Sequence, residues 1–507
     1  MIEGAVAVCY GPSMRQQLRQ LSGDTAIYGV TTIVQRLLSF LLTPFYSWVL
    51  APSDFGLQAN IYAIIAFMMV VANIGMEAAY FRFVASAASE DEKRRVFWNA
   101  TLVNWLAAGL LATLFVAAPG AANALFFLKV PDTALHLVQY AGVIILLDAA
   151  STIGLATLRM ERRAKTFGAI KIAAIVVNVV LTIWFLASLG LGIDGILLAG
   201  IAQSATMFLL TTPVMARRLP VTLDRETTRS MLAFGLPTIA SGLSAIALQV
   251  IDRPIIVALA GAEAAGLYQA SYRLGIPMMM FVAMFEFAWR PFFLQQAGRE
   301  NARALFARVF TYFNLAAGFV FLAVSFFVTT IAGTQLPVVD RALLDERYWA
   351  GLPIVPIVLA AYISNGWYTN FIVGIYIEKR TRALPWITGV GALVEAGLCF
   401  ALVPAMGFPG GAWATLAAYV VMSLVLWRYT SRFFAIPYEW GRVLRALGIA
   451  LVLYVIGTAT TDFYDLGARA SLVRIGLLAA YPLLLFVTGF FEPGERRELR
   501  RIILRRS

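Results

Sequence analysis

The sequence predicts an all-α integral membrane protein of about fourteen transmembrane helices, arranged as two six-helix lobes with a central cavity plus two C-terminal helices. Three observations point there: a series of apolar segments, the alternation of charge between them, and a faint internal repeat. The apolar segments run over 24–50, 57–84, 96–118, 133–158, 167–189, 193–216, 230–257, 266–294, 309–332, 351–377, 384–404, 408–431, 443–461 and 471–491. Each is long enough for a helix to cross roughly 30 Å of hydrocarbon. Hydrophobic residues make up 60% of the chain and the mean hydropathy is +0.78, outside the range of water-soluble domains.

The loops between the segments alternate in basic content. One set carries Arg15 and Arg19, Lys93 to Arg95, Arg159 to Lys165, Arg217 to Arg229, Arg299 to Arg308, Lys379 to Arg382, Arg428 to Arg445, and the tail from Arg496. The opposite set holds only Lys129, Arg341, Arg347 and Arg469. Basic loops resist translocation, so the rich set and both termini are expected in the cytoplasm. This bias accounts for the net charge of +12, and no nucleic-acid partner is needed to explain it.

The longest polar stretch, 333–350, is too short to fold alone. Cys9 lies in the N-terminal lead and Cys399 in a membrane segment, so they form no disulfide framework or thiol metal site. The single histidine, His136, reads as an interfacial residue. No metal or cofactor is expected. Residues 1–13 lack the basic start of a signal peptide, and Met14 begins a basic polar lead that reads as the native start.

The repeat links the hairpin from Ile27 to the seventh and eighth segments from Ala233. Each has an acidic tip followed by Gly-Leu, at Asp54-Phe55-Gly56-Leu57 and at Glu263 with Gly266-Leu267-Tyr268. It predicts a cytoplasmic lead (1–23), an N-lobe (24–216), a cytoplasmic linker (217–229), a C-lobe (230–432), two further helices (433–491) and a basic tail (492–507). With an even number of helices per repeat, the lobes share one orientation and a substrate site is expected between them.

Certain residues then carry a family resemblance. They are Arg36-Leu37-Leu38-Ser39-Phe40, Pro44-Phe45-Tyr46, Leu50 to Gly56, and Gly75-Met76-Glu77-Ala78-Ala79-Tyr80-Phe81-Arg82-Phe83. In the second lobe they are Gly235-Leu236-Pro237, Asp252-Arg253 and Gly266-Leu267-Tyr268. The chain resembles the oligosaccharide flippase, or polysaccharide transporter, family of the multidrug-oligosaccharidyl-lipid-polysaccharide exporter superfamily. The resemblance implies a bacterial inner-membrane flippase for polyprenyl-diphosphate-linked oligosaccharide, working by alternating access. It also implies membrane lipids and polysaccharide polymerase machinery as partners.

Ionisable groups inside spans are costly and mark functional or paired positions. The cationic candidates for a substrate diphosphate are Arg36, Arg253, Arg273, Arg82 and Arg290. Arg36 sits mid-helix and either grips phosphate or pairs with Glu77. Arg253 and Arg273 follow Gln249 and Gln269 by four residues. Arg290 follows Glu286 by four, the favourable order for an intrahelical pair. Arg82 is a helix-end anchor or a cavity rim, and Lys171 and Arg474 read as anchors near helix starts. Glu77, Asp148, Asp252 and Glu395 are candidates for ion coupling or ion pairing, and Asn365 and Asn370 for a polar cavity. A multidrug exporter is the competing reading, but it would need an acidic cavity. A glycan polymerase or ligase would need more than the short outer patch of Asp340, Arg341, Asp345, Glu346 and Arg347.

Overall fold

In a bilayer the backbone of an apolar run has no water to bond, so its N–H and C=O groups satisfy one another in helices. The computed structural model describes residues 42–337 and 339–495, and helices are nearly all of its regular structure. The first described stretch, α1 (42–49), is the end of the first expected span. The first unit continues with α2 (Pro52–Asn73), α3 (Met76–Ser86), α4 (Glu90–Ala117), α5 (Pro119–Leu125), α6 (His136–Met160), α7 (Ala164–Ala187), α8 (Gly192–Ala216) and α9 (Arg225–Val250). Then follow α10 (Asp252–Ala260), α11 (Ala262–Leu274), α12 (Ile276–Gln296), α13 (Ala302–Gly333), α14 (Val355–Phe371) and α15 (Val373–Ile377). The chain ends in α16 (Leu384–Met406), α17 (Pro409–Thr430), α18 (Trp440–Thr460) and α19 (Ala468–Val487). A two-stranded ribbon, β1 (Gln335–Leu336) against β2 (Arg341–Ala342), closes the loop after α13. Among the described residues, thirteen helices or helix pairs are long and apolar enough to cross a membrane.

The described residues form two compact units. One comprises 42–50 and Asn60–Ile246; the other comprises Ala51–Ala59 and the chain from Ala247. Of the three boundaries, one precedes α2 and the other two fall within α2 and near the end of α9. The basic linker 217–229 therefore belongs to the first unit. Trp98 Nε1 donates to the Arg218 carbonyl (2.6 Å), and the Asp224 N–H donates to Asn99 Oδ1 (3.2 Å).

Four spans that read as continuous in sequence are broken, one of them by a turn at Ile372 between α14 and α15. Between α2 and α3 the backbone turns left-handed at Ile74 (φ 44°) and Gly75 (φ 67°). Gly75 is required there twice over. It takes a conformation costly for other residues, and a Cβ would run into the Gly235 carbonyl of α9. Between α9 and α10 the cause is Pro254, which cannot donate to the Val250 carbonyl. Between α11 and α12 it is Pro277, which cannot donate to the Arg273 carbonyl. The two repeat tips also meet, within the second unit. A Cβ at Gly56 would strike the Ala262 carbonyl, and one at Gly266 the Pro52 carbonyl. The repeated glycine thus marks a backbone crossing of α2 and α11.

Aromatic side chains fill much of the interior. Tyr80, Phe97 and Trp98 centre one cluster in the first unit, and Trp289, Phe293, Phe306 and Phe434 centre another in the second. Leu444, Leu451, Val455, Leu472, Leu483 and Val487 of α18 and α19 are exposed, as lipid-facing residues are.

Candidate functional site

Each unit holds one cluster of acidic and basic side chains within its spans. In the first unit, Asp148, Ser151, Thr152, Leu155 and Arg159 follow one another along one face of α6. With Glu77 of α3 and Lys171 of α7 they line a pocket of about 290 Å³. Met69, Phe167 and Met207 supply its apolar wall. Glu77 stands in the first turn of α3, where the helix dipole favours a carboxylate. It forms an ion pair with Arg159, which also lies over Phe81 at 4.9 Å. Asp148 is the deeper acid, and its Oδ1 is buried without a hydrogen-bond donor. The Ser151 and Thr152 hydroxyls do not supply one, because they donate to the Asp148 backbone carbonyl (2.9 and 3.0 Å). The pocket therefore holds two acids and two bases, with an unsatisfied acceptor at one end.

In the second unit the charges are sealed in. Asp252, in the first turn of α10, is 1% exposed. Its Oδ1 accepts from Arg253 Nη1 (2.7 Å) and from the Arg253 backbone N–H (2.9 Å). Its Oδ2 accepts from the Tyr268 hydroxyl (2.5 Å). Arg253 Nε donates to Gln269 Oε1 (3.0 Å), Nη1 donates also to the Gln249 carbonyl, and the guanidinium lies over Tyr272 at 4.7 Å. Glu395 of α16 belongs to the same group and is also 1% exposed. Its Oε1 accepts from the Thr415 hydroxyl (3.0 Å), while Oε2 is buried with no donor. Two helix breaks make this cluster: one frees the N-terminus of α10 for Asp252, and α11 brings in Tyr268 and Gln269.

The other sequence candidates lie apart from these two groups. Arg36 lies outside the described residues. Glu77, the partner considered for it, is engaged by Arg159. Arg82 is exposed and stacks on Phe234 at 4.4 Å. Arg273 is half-buried beside Phe55, at 5.1 Å from the ring centre. Arg290 is exposed and pairs with Glu286 at 2.6 Å. Asn370 is buried, with Nδ2 donating to the Gly366 carbonyl (2.8 Å), and Asn365 is half-buried. His136 pairs with Asp194 at 2.7 Å. Two residues read as interfacial anchors sit elsewhere. Lys171 lines the pocket with Asp148, and Arg474 is 3% exposed, because carbonyls of the loop before α19 hold it inward.

Arg159 was counted among the loop charges, yet its spacing of eleven from Asp148 already put both on one face of α6. Tyr268 and Thr415 gave no such signal, since their partners Asp252 and Glu395 lie on other helices.

Solved structures share this architecture. The lipid II flippase MurJ in an inward closed conformation superposes with a TM-score of 0.71 at 13% identity, over 91% of this chain and 99% of that one. An inward-facing multidrug resistance MATE family transporter of the MOP superfamily gives 0.62 at 14% identity, over 78% and 94%. A MOP superfamily transporter from Pyrococcus furiosus gives 0.52 at 15% identity, over 82% and 94%. No curated protein matches the sequence itself. The fold is thus the all-α, multi-pass membrane fold of these solved transporters. Residues 47–335, more than half of the chain, match the family described as polysaccharide biosynthesis protein, and the chain belongs to that family.

Proposed function

We propose that the protein is a flippase that moves polyprenyl-diphosphate-linked oligosaccharide from the cytoplasmic to the outer leaflet of a bacterial inner membrane, by alternating access. The observation that carries this reading is the match to a polysaccharide biosynthesis family on a fold shared with a lipid II flippase. Such a protein works as a carrier and not as an enzyme, with its termini and basic loops in the cytoplasm. A polymerase that consumes the flipped oligosaccharide is its natural partner.

A diphosphate inside a membrane needs guanidinium donors, which match its oxygens with a rigid fork. Arg36 and the half-buried Arg273 are assigned that role, with Arg82 and Arg290 at the rim. Arg253 has two of its three nitrogens engaged internally, so its contribution is positional unless Nη2 turns to substrate. Asn365 and Asn370 are assigned to sugar hydroxyls. The cationic bias also suits the direction of transport. Moving negative charge outward against an inside-negative potential is downhill by about 2.3 kcal/mol per charge per 100 mV. Glu395 and Asp252 are the proposed coupling acids: a proton or sodium ion would satisfy the donor-free Glu395 Oε2. Glu77 and Asp148 form the equivalent acid pair of the first unit.

The second reading is a cation antiporter, favoured by the likeness to the MATE transporter and by the buried carboxylates. Proteoliposomes separate the two. Wild type should flip a fluorescent lipid-diphosphate oligosaccharide, and Arg36→Ala and Arg273→Ala should slow it at least tenfold at equal folded protein. Export of an organic cation without any lipid flipping would replace the first reading with the second.

A further inference from the structure

Arg474 is a buried charge outside both clusters. It is the seventh residue of α19, roughly 9 Å along the helix from its start. Only 3% of it is exposed, and among the described residues no carboxylate lies within ion-pair distance. Nη2 donates to the Asp462 carbonyl (2.7 Å) and to the Phe463 carbonyl (3.4 Å). The Asp462 carboxylate is turned away and accepts the Tyr464 N–H (3.0 Å). Nη1 is buried and donates to nothing. A buried charge in this state is unstable unless something neutralises it.

The surroundings specify what that something is. Arg474 opens on a small cavity of about 10 Å³ with Ser325 of α13 and with Gly457, Thr458 and Thr461 of α18 and the turn that follows it. The Thr458 hydroxyl donates to the Tyr454 and Val455 carbonyls, and the Thr461 hydroxyl donates to the Gly457 carbonyl (2.8 Å). Ser325 is 4% exposed and its hydroxyl has no partner, so its proton is available. The cavity therefore offers uncommitted donors from a cation and a hydroxyl, and no acidic side chain lines it. That donor set takes an anion. The volume is close to one water-sized sphere, which excludes phosphate or a lipid headgroup; a chloride, somewhat larger than water, fits once the Arg474 and Ser325 side chains draw back slightly.

We propose that Arg474 and Ser325 bind a single halide ion, chloride under cellular conditions. The ion neutralises the guanidinium and fastens α19 and the loop before it to α13 and α18. It lies in the last two helices, so it acts on the docking of that pair and not on substrate.

The test uses the full-length protein in detergent, with sodium chloride or sodium gluconate at equal ionic strength. Wild type should unfold several degrees higher in chloride, with a saturating dependence on concentration. Arg474→Met should remove the chloride dependence. Ser325→Ala should fold and raise the half-saturating chloride about five-fold, the loss of roughly one hydrogen bond. Crystals soaked in bromide should show an anomalous peak within hydrogen-bond distance of Nη1. Equal stability in both salts, a chloride effect that survives Arg474→Met, or water in place of a bromide peak would each overturn the proposal. If Arg474→Met does not fold, Ser325→Ala and the bromide peak decide.

Discussion

The two charged groups differ in how they meet solvent. In the first unit, Glu77, Arg159, Asp148 and Lys171 surround an open pocket, and the Glu77 and Arg159 side chains are 31% and 38% exposed. In the second, Asp252, Arg253 and Glu395 are buried, and tyrosine, glutamine and threonine side chains occupy most of their hydrogen-bonding capacity. The same residue types thus serve two physical regimes. A pair beside water exchanges partners at little cost. A pair in a low-dielectric interior depends on each partner being present, because removing one strands the other. The first regime suits a group that handles passing charge. The second suits a switch that changes with one proton or ion.

The largest effect should follow from stranding Arg253. Asp252→Asn removes its counter-charge and should cost about 3–5 kcal/mol, the range for breaking a buried pair. Asp252→Asn combined with Arg253→Met should recover most of that loss, since an apolar pair of similar volume needs no counter-charge. Thermal unfolding followed by size-exclusion chromatography reads both variants. If the single substitution is as stable as wild type, the cluster is hydrated and the contrast between the units is lost.

Glu395→Gln should be milder for stability and decisive for coupling. The amide keeps the side-chain volume and an oxygen for the Thr415 hydroxyl, so the protein should fold. It can no longer take a proton or a cation's full charge. Flipping in proteoliposomes should lose its dependence on the sodium or pH gradient, whichever drives wild type. A retained gradient dependence would move the coupling site to Asp148. The corresponding substitution there, Asp148→Asn, should then be compared under the same gradients.

In the open pocket the expectation is reversed. Glu77→Gln and Arg159→Ala should each change stability by no more than about 1 kcal/mol, as for other half-exposed pairs. Lys171→Met should reduce transport several-fold without loss of folded protein. A large loss of stability from Glu77→Gln would show that this pocket is closed off from water, like the second cluster.

What could be read from the sequence follows the same division. Hydrophobic length and basic-loop bias are properties of single segments, so the spans were legible, and Gly56, Gly75, Gly235 and Gly266 stood out in the motifs that now mark close backbone approaches. The candidate acids were legible too, because a carboxylate in a span is conspicuous alone. Their partners were not. Tyr268 lies sixteen residues from Asp252 and Thr415 twenty from Glu395, on different helices, and only tertiary packing pairs them. The helix breaks were half legible: Pro254 and Pro277 signal them, but proline is tolerated in membrane helices and does not by itself say where the chain turns. Arg474 was misplaced because distance from a helix start says nothing of loop carbonyls that draw a guanidinium inward.

A third acid–base group lies outside the spans and is intermediate between the two, with the Arg442 and Glu495 side chains 12% and 16% exposed. Glu495 follows α19, and its Oε2 accepts from Arg442 Nη2 (2.8 Å) and from the Glu492 N–H (2.8 Å). Burial would raise its pKa, but the Glu492 N–H, the Tyr312 hydroxyl and the Arg442 charge outweigh it and hold the carboxyl below its ordinary value. A depressed carboxylate contributes stability that is present above its unfolded value, about 4.3, and lost as pH falls through the folded one. The unfolded chain binds more protons across that window, so stability should rise with pH there. The gain should be at most about 1 kcal/mol, as for pairs near the surface. Comparing wild type with Glu495→Gln between pH 5 and roughly 3 cancels the other carboxylates, and the wild-type curve should fall more steeply on acidification. Parallel curves would mean that Glu439 at 2.9 Å and Glu492 at 3.7 Å hold Arg442 without a contribution from Glu495.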